Sequence, residues 1–238
     1  PLPGSGAFRV STNGLASGNH PLEALAHALF EVIERDSTAR WYRLDRHARA
    51  ATRLDLASVE DAAARSVLDR LAAGGFEAAV WETTGPVGLA SFYCLLVDPG
   101  AALAHPGEGA GCHPARRVAL LRALLEAAQV RLAYVVGVRD DIEPFDYAGS
   151  NLEARRRRVR ALMAGPPARR RFAEAPDRET ATVFEDVADA RARLLAAGVR
   201  TAALVDLTWP AIGIPVVRVV VPELLDEEDI DAPEAAPR

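Results

Sequence analysis

Helical and strand-like patterns alternate along this chain, and that alternation constrains its fold more than any other feature of the sequence. The segments with apolar residues at three- and four-residue spacing are 21–43, 58–73, 114–133, 151–163 and 186–198. The short apolar runs typical of strands are 8–12, 76–84, 88–98, 201–208 and 214–222, of which the last two are predicted to be buried. Interleaved helices and strands predict a mixed α/β (α+β) fold with helices packed on sheets.

The remaining segments are predicted to be loops, linkers or tails. Glycine-rich HPGEGAGC, 105–112, is predicted to be a loop, and the polar run 139–151 a turn region. GPPARRR, 165–171, is expected to be an exposed linker, and the acidic, proline-rich 226–238 a flexible tail. We expect a single domain over 1–238, truncated at its N-terminus, because PLPGSGAF lacks an initiator Met and the layout of a signal peptide.

Composition excludes several classes of protein. The net charge of −5 over 238 residues offers no electrostatic basis for binding nucleic acid or anionic membranes. Two cysteines are too few for a disulfide framework and indicate a reducing cytoplasm. No run approaches the roughly 20 apolar residues that a membrane helix needs. The chain is therefore predicted to be cytoplasmic, with no nucleic-acid or membrane partner.

The first helix gathers carboxylates on one side. At about 100° per residue, Glu23, His27, Glu31 and Glu34 fall within an arc of roughly 80°, and Arg35 follows directly. Like charges at this spacing destabilise a helix by a few tenths of a kcal/mol per pair. A hard divalent cation such as Mg²⁺ would remove that repulsion, and Mg²⁺ also keeps waters and substrate phosphates as ligands. This face therefore suggests a nucleotide–metal site.

The spacing alone favours a simpler reading, a solvated acidic helix face. A lone His such as His27 is also more often a packed or surface residue than a ligand. The loop before the helix, residues 14–19, could bring backbone N–H groups and Asn19 close to a ligand. Asn19 is also a candidate N-cap, with Pro21 in the first turn.

A second helix carries a similar stripe. Arg122, Glu126 and Gln129 recur at i, i+4 and i+7, although a surface stripe with an Arg–Glu pair would give the same pattern. If the two helices faced one cleft, they would hold four carboxylates and two cations. Elsewhere, the glycines of 105–112 lack the P-loop spacing, which excludes a Walker motif. Neighbouring Cys112 and His113 are more readily structural than a nucleophile–base pair, and Cys94 is predicted to lie in the core. The Arg-dense stretch 153–171 is predicted to be a solvated helix.

The sequence resembles the YcaO family, most nearly its members paired with TfuA. The resemblance rests on NGLASGNHPLEALAHALFEVIERD, LRALLEAAQVRL, GVRDD, GAGCHP and LVDLTWPAIGIPVVRVVVP, and covers most of the chain. It implies a fold that binds ATP and Mg²⁺ without a P-loop or protein-kinase architecture. It also implies ATP-dependent activation of a peptide-backbone amide oxygen, followed by thioamide or azoline formation.

The resemblance implies roles for particular residues. The ATP-contacting positions are Ser17, Asn19, Arg35, Arg122 and Gln129. The positions around Mg²⁺ are Glu23, Glu31, Glu34 and Glu126, and no catalytic residue is assigned. Three departures stand out. Ala16 replaces a family Ser, DAPEAAPR lacks the proline pattern of azoline-forming members, and an earlier Glu-bearing helix of the family has no counterpart here.

The implied partners are a peptide or protein substrate, a TfuA-like protein and a second copy in a homodimer. Thioamidation is the leading interpretation. An azoline-forming cyclodehydratase component and a catalytically inactive scaffold or substrate-binding protein are the alternatives. A generic acidic-helix interaction module is a weaker one.

Overall fold

The computed structural model describes residues 11–100, 105–137 and 149–226. Within them, six helices and six strands form the predicted mixed α/β fold, and the strands make two three-stranded antiparallel sheets. In chain order the elements are β1 (Leu15–Ser17), α1 (Pro21–Arg43), α2 (Arg46–Ala51), α3 (Ala62–Ala73), β2 (Glu77–Glu82), β3 (Ala90–Val97), β4 (Gly107–His113), α4 (Arg116–Val136), α5 (Gly149–Met163), α6 (Val183–Ala196), β5 (Ala203–Asp206) and β6 (Val216–Val220).

Helix α1 connects the two sheets. Its 23 residues span about 35 Å at 1.5 Å per residue. In its first half, Leu29 and Ile33 pack in a buried cluster with Val217 of β6, in the sheet ordered β1-β6-β5. Near its end, Trp41 lies 5.7 Å from Trp81, between ring centroids, and so reaches the sheet ordered β2-β3-β4. One helix thus runs from one sheet to the other.

The glycine-rich stretch predicted to be a loop is instead strand β4, which pairs antiparallel with β3. Gly107, Gly109 and Gly111 alternate along the strand and lie on one face, against helix α4. A Cβ added at Gly107 would lie 2.1 Å from the carbonyl oxygen of Ala127, and one at Gly111 equally close to that of Ala119. The glycines therefore let the helix backbone rest directly on the strand.

Strand β5 is exposed along its whole length, and the prediction that 201–208 forms a buried strand is wrong. Leu204 is 55% exposed and Val205 46%. A continuous apolar run predicts burial on both faces, but the described residues cover neither face of this edge strand. The prediction holds better for β6, where Val217 and Val219 are buried.

Several boundaries differ from those predicted. The third helix begins at Ala62 and not at residue 58, because the Asp61 side chain accepts a hydrogen bond from the Ala64 N–H and caps the helix there. The helix stops at Gly74, as expected. The expected linker 165–171 is anchored, since Arg170 bonds the carboxylate of Glu82. Most of the strand candidate 8–12 and of the turn region 139–151, and all but Asp226 of the tail 226–238, lie outside the described residues.

Among residues 11–100, 105–137 and 149–226, no helix is both long and apolar enough to cross a bilayer. The cytoplasmic location stays a prediction.

Candidate functional site

The two polar stripes meet in one cavity. It has a volume of about 440 Å³ and lies between α1, α4 and β4. Six of the nine predicted site residues line it, together with His27 and Ala110. These six are Glu31, Glu34, Arg35, Arg122, Glu126 and Gln129.

Helix α1 contributes its acidic face because its opposite side is buried. Ala28 and Ile33 pack in the core cluster shared with β6, which turns Glu31 and Glu34 toward the cavity. Arg35 lies 3.7 Å from Glu31, measured from Nη2 to Oε1. One wall of the cavity therefore holds two carboxyl groups beside a guanidinium group.

Helix α4 is oriented by its small residues. Ala119, Ala123 and Ala127 recur every four residues and are fully buried, against the glycines of β4. That contact places Arg122 and Glu126 at the cavity. Glu126 Oε2 also accepts a 2.7 Å hydrogen bond from the backbone N–H of Ala110 in β4, which is an edge strand. The second wall is thus tied to the sheet by one of its own carboxylates.

Glu34 is the most perturbed acid of the site. Burial, reinforced by the nearby Glu126 carboxylate, raises the pKa of Glu34 to about 8. The group therefore carries a proton at neutral pH when no cation is bound. A divalent cation would take the place of that proton, since a metal-bound carboxylate is ionised.

This pKa gives the protein a specific pH dependence of stability. The folded state of the metal-free protein keeps the Glu34 proton that the unfolded chain loses near pH 4.5, so stability falls as pH rises from about 4.5 to 8. We expect the free energy of unfolding of the wild type, relative to Glu34→Gln, to fall by roughly 2 kcal/mol between pH 6.5 and 8. Urea unfolding of both proteins in EDTA measures it. Parallel curves for the two proteins would contradict a buried, protonated Glu34.

The other three predicted residues lie upstream, outside the lining of this cavity. The Asn19 backbone N–H and side-chain amide donate to Glu23 Oε2 at 2.7 and 3.1 Å, and these bonds lower the pKa of Glu23. Ser17 is exposed in β1, and its backbone hydrogen-bonds His27. Glu23 and Glu31 are eight residues apart, about 12 Å along the helix axis.

The first helix is capped differently from the prediction. The N-cap is His20, whose Nδ1 accepts a 3.2 Å hydrogen bond from the Leu22 N–H. Asn19 lies one residue before this cap, and its backbone N–H and side-chain amide both donate to Glu23. The loop ahead of the helix lies close to it, since a Cβ added at Gly18 would lie 2.6 Å from the backbone nitrogen of Ala24.

The donor set fits Mg²⁺ bound together with phosphates better than a metal held by protein alone. Within the described residues, no three His, Cys, Asp or Glu side chains form a group that could hold a metal ion. Mg²⁺ usually takes one or two carboxylates and completes its shell with waters and substrate phosphates. Glu31, Glu34 and Glu126 can supply the carboxylates, while Arg35 and Arg122 offer charge to phosphate oxygens.

Cys112 and His113 do not form a nucleophile–base pair. Cys112 is fully buried in the core cluster, and burial raises the pKa of its thiol to about 12. His113, the next residue along the strand, has its Nε2 atom 3.9 Å from Asp186 Oδ2 of α6. Adjacent strand residues point to opposite faces, so the two side chains diverge. Cys94 is likewise buried in the core, as predicted.

Sequence reasoning missed the residues of a neighbouring cavity of about 600 Å³, which shares Arg35, Ala110 and Glu126 with the first. Its walls include Thr38 and Arg49, and also Glu108 of β4. The signal that could have revealed Glu108 is the alternation of Gly with larger residues in GEGAG, which is a strand pattern.

Comparison with known proteins shows the family of the chain. A family model described as a YcaO cyclodehydratase that binds ATP and Mg²⁺ matches residues 1–225. An uncharacterized protein in the tfuA 3′ region of Rhizobium leguminosarum bv. trifolii is 35% identical over 224 residues, which are 91% of this chain and 53% of that protein. The chain thus spans about half the length of this relative. The predicted resemblance to TfuA-associated YcaO proteins is confirmed.

Solved structures share the fold. YcaO from Methanopyrus kandleri, bound with AMPPCP and Mg²⁺, superposes with a TM-score of 0.76 at 24% identity, covering 98% of this chain and 62% of that one. A heterocyclase in complex with substrate and cofactor gives a TM-score of 0.74 at 24% identity, covering 92% of this chain and 29% of that one. At this level of identity the likeness shows the fold alone.

Proposed function

The chain belongs to the YcaO family, described as binding ATP and Mg²⁺, and on that basis we propose that the cavity between α1 and α4 binds the phosphates of ATP with Mg²⁺. One observation carries the proposal. Six residues from two helices distant in sequence converge on one cavity, and one of them, Glu34, is a buried acid that keeps its proton without a cation. A solvated acidic surface helix does not explain such a group.

Each predicted residue has a role in this proposal. Carboxylates from among Glu31, Glu34 and Glu126 would hold Mg²⁺ together with the phosphates, and the cation would neutralise phosphate charge. Arg35 and Arg122 bind phosphate oxygens, and Gln129 orients the nucleotide from the exposed end of the stripe. Upstream, the pair formed by Asn19 and Glu23, with Ser17 before it, contacts the rest of the ligand. Phosphoryl transfer depends on positioning and charge stabilisation, which these side chains supply without a covalent nucleophile.

The reaction class follows from the family. A peptide-backbone amide oxygen takes the terminal phosphoryl group of ATP, and ADP leaves. A sulfur nucleophile then adds to the amide carbon, and phosphate departs with the former amide oxygen, which leaves a thioamide. The position of a relative in the tfuA 3′ region supports a TfuA-like partner, and we propose thioamidation as the reaction carried out with it.

Azoline formation is the second candidate. In that case a side chain of the peptide itself attacks the activated carbon, and the same phosphate leaves. The description of the family model as a cyclodehydratase favours it. Product mass separates the two reactions, because exchange of oxygen for sulfur and loss of water change the peptide mass in opposite directions.

Nucleotide binding tests the proposal directly. We expect calorimetric titration with ATP in Mg²⁺ to give saturable heat for one site per chain, and EDTA to abolish it. The cation is required because the cavity otherwise presents carboxyl groups to the phosphates. No heat in Mg²⁺ would contradict the proposal and favour a scaffold that kept the fold without its nucleotide. The TfuA-like partner and the homodimer stay predictions.

A further inference from the structure

A groove continues along the protein from the cavity of about 440 Å³ described above, which we call the carboxylate cavity. The neighbouring cavity of about 600 Å³ shares Arg35 and Glu126 with the first. A third cavity, of about 240 Å³, shares Arg49 and Arg158 with the second. The three cavities lie one after another, past the end of α1, along α2 and against α5. We call the second and third cavities together the arginine groove.

The third cavity, which is the outer part of the arginine groove, carries charge of one sign. Four arginines and no carboxylate line it, in a chain whose net charge is −5. These are Arg46, Arg49, Arg53 and Arg158. Guanidinium groups that line one cavity repel one another. An anion in the groove would offset this repulsion.

Glu108 lines the second, inner cavity but not the carboxylate cavity, and it already has partners. Glu108 accepts from Arg155 Nε at 2.7 Å and from the Tyr93 hydroxyl at 2.6 Å, and it lies 3.3 Å from Arg158 Nη2. Burial acts to raise the pKa of Glu108, but Arg155, Tyr93 and Arg158 outweigh it and hold that pKa below its usual value. Glu108 therefore fixes two arginines in place and does not neutralise the others.

Other polar groups of the groove lack partners among residues 11–100, 105–137 and 149–226. The Thr38 hydroxyl, on a side chain only 5% exposed, has no hydrogen-bond partner there. The same holds for the buried Nε of Arg49, whose guanidinium lies 5.8 Å from the Trp41 ring centroid. Neither Arg46 nor Arg49 forms an ion pair within these residues. A buried hydroxyl and a buried guanidinium nitrogen that line one cavity, both without hydrogen-bond partners among the described residues, suit a ligand with acceptor oxygens.

We propose that the arginine groove binds an acidic segment of the peptide substrate, next to the amide that is activated. This inference rests on the proposed function, because it takes the carboxylate cavity as the place of activation. Carboxylates fit guanidinium groups in bidentate geometry, and an extended peptide carries them at regular spacing. A nucleic acid fits less well, because the hydroxyls of Tyr42 and Tyr93 bond each other at 2.7 Å and both rings already pack on Trp41, so neither ring is an open platform for a base.

Binding of labelled oligoglutamate, followed by fluorescence anisotropy without nucleotide, tests the groove. We expect saturable binding that weakens with salt, with oligoglutamine of equal length inert. The double variant Arg46→Gln/Arg49→Gln is expected to weaken it about tenfold or more. The matched control Arg191→Gln/Arg200→Gln removes the same charge from exposed positions on α6 and after it, and is expected to change binding less than about twofold.

Three outcomes would overturn the proposal. The first is that both double variants weaken oligoglutamate binding equally, and the second is that oligouridine binds more tightly than oligoglutamate. The third is that a chain ending at Asp226 binds oligoglutamate more tightly, which would make the acidic tail the occupant of the groove. Because the assay contains no ATP, failure here leaves the proposed function standing. Conversely, a protein that binds oligoglutamate but gives no heat with Mg²⁺ and ATP would lose the proposed function and keep the groove.

Discussion

Glu34→Gln is expected to abolish peptide-dependent ATP hydrolysis by the full-length protein, with a fall of about a hundredfold or more in kcat. Gln matches Glu in size and keeps an acceptor oxygen, but it cannot supply the negative charge that a cation takes up when it replaces the Glu34 proton. Because Glu34 is buried beside Glu126 and Arg122, no water can fully substitute for the missing charge. Phosphate release in the presence and absence of peptide measures the effect.

The appropriate control is Glu179→Gln. Glu179 is exposed and pairs with Arg117 at 2.6 Å, and it lines none of the three cavities described above. We expect its turnover to match that of the wild type. If Glu34→Gln unfolds at a higher urea concentration than the wild type at pH 8, misfolding is excluded as the cause of its lost turnover. We expect that higher midpoint because the substitution removes the free-energy cost of burying an ionised carboxylate. Unchanged turnover in Glu34→Gln would reject the assignment of the cavity.

The sequence predicted the acidic and basic stripes because helical spacing is a local property. Glu31 and Glu34 share a face through the geometry of one helix, and so do Arg122 and Glu126. Nothing local says that the two faces meet. That convergence depends on β4, where glycines at alternate positions let the α4 backbone approach closely. The sequence predicts a loop at β4 because glycine usually marks turns.

The arginine groove was beyond sequence reasoning for the same physical reason. Arg46 and Arg49 lie on a short helix near the start of the chain, and Arg158 lies more than a hundred residues later on α5. Read separately, each is a solvated surface residue. Only the tertiary fold brings them to one cavity without a carboxylate. The prediction for β5 is wrong in the opposite direction, because its apolar run predicts a buried strand and the described residues leave it exposed.

The three upstream residues stay predictions. Asn19 and Glu23 form a bonded pair at the start of α1, and Ser17 precedes them, but the cavity lining does not include them. Their assignment rests on the resemblance to the YcaO family and, for Glu23, on its position along the same helix as Glu31.

Glu126 has two separable roles, which two substitutions at the same position distinguish. Glu126→Gln keeps an oxygen that accepts from the Ala110 N–H, whereas Glu126→Ala leaves that N–H without its partner. We expect both variants to lose ATP hydrolysis by about a hundredfold, since both remove the charge. Only Glu126→Ala should also lose about 1–3 kcal/mol of unfolding free energy, because the edge of the sheet is no longer tied to α4.

Urea unfolding and phosphate release on the same preparations provide both readouts. Equal stability of the two variants would show that the Ala110 hydrogen bond does not hold the second wall in place. Full activity of Glu126→Gln would show that the carboxylate serves the fold alone. In that case the cation would have its ligands on α1 only, and the convergence of the two helices would no longer support a shared phosphate site.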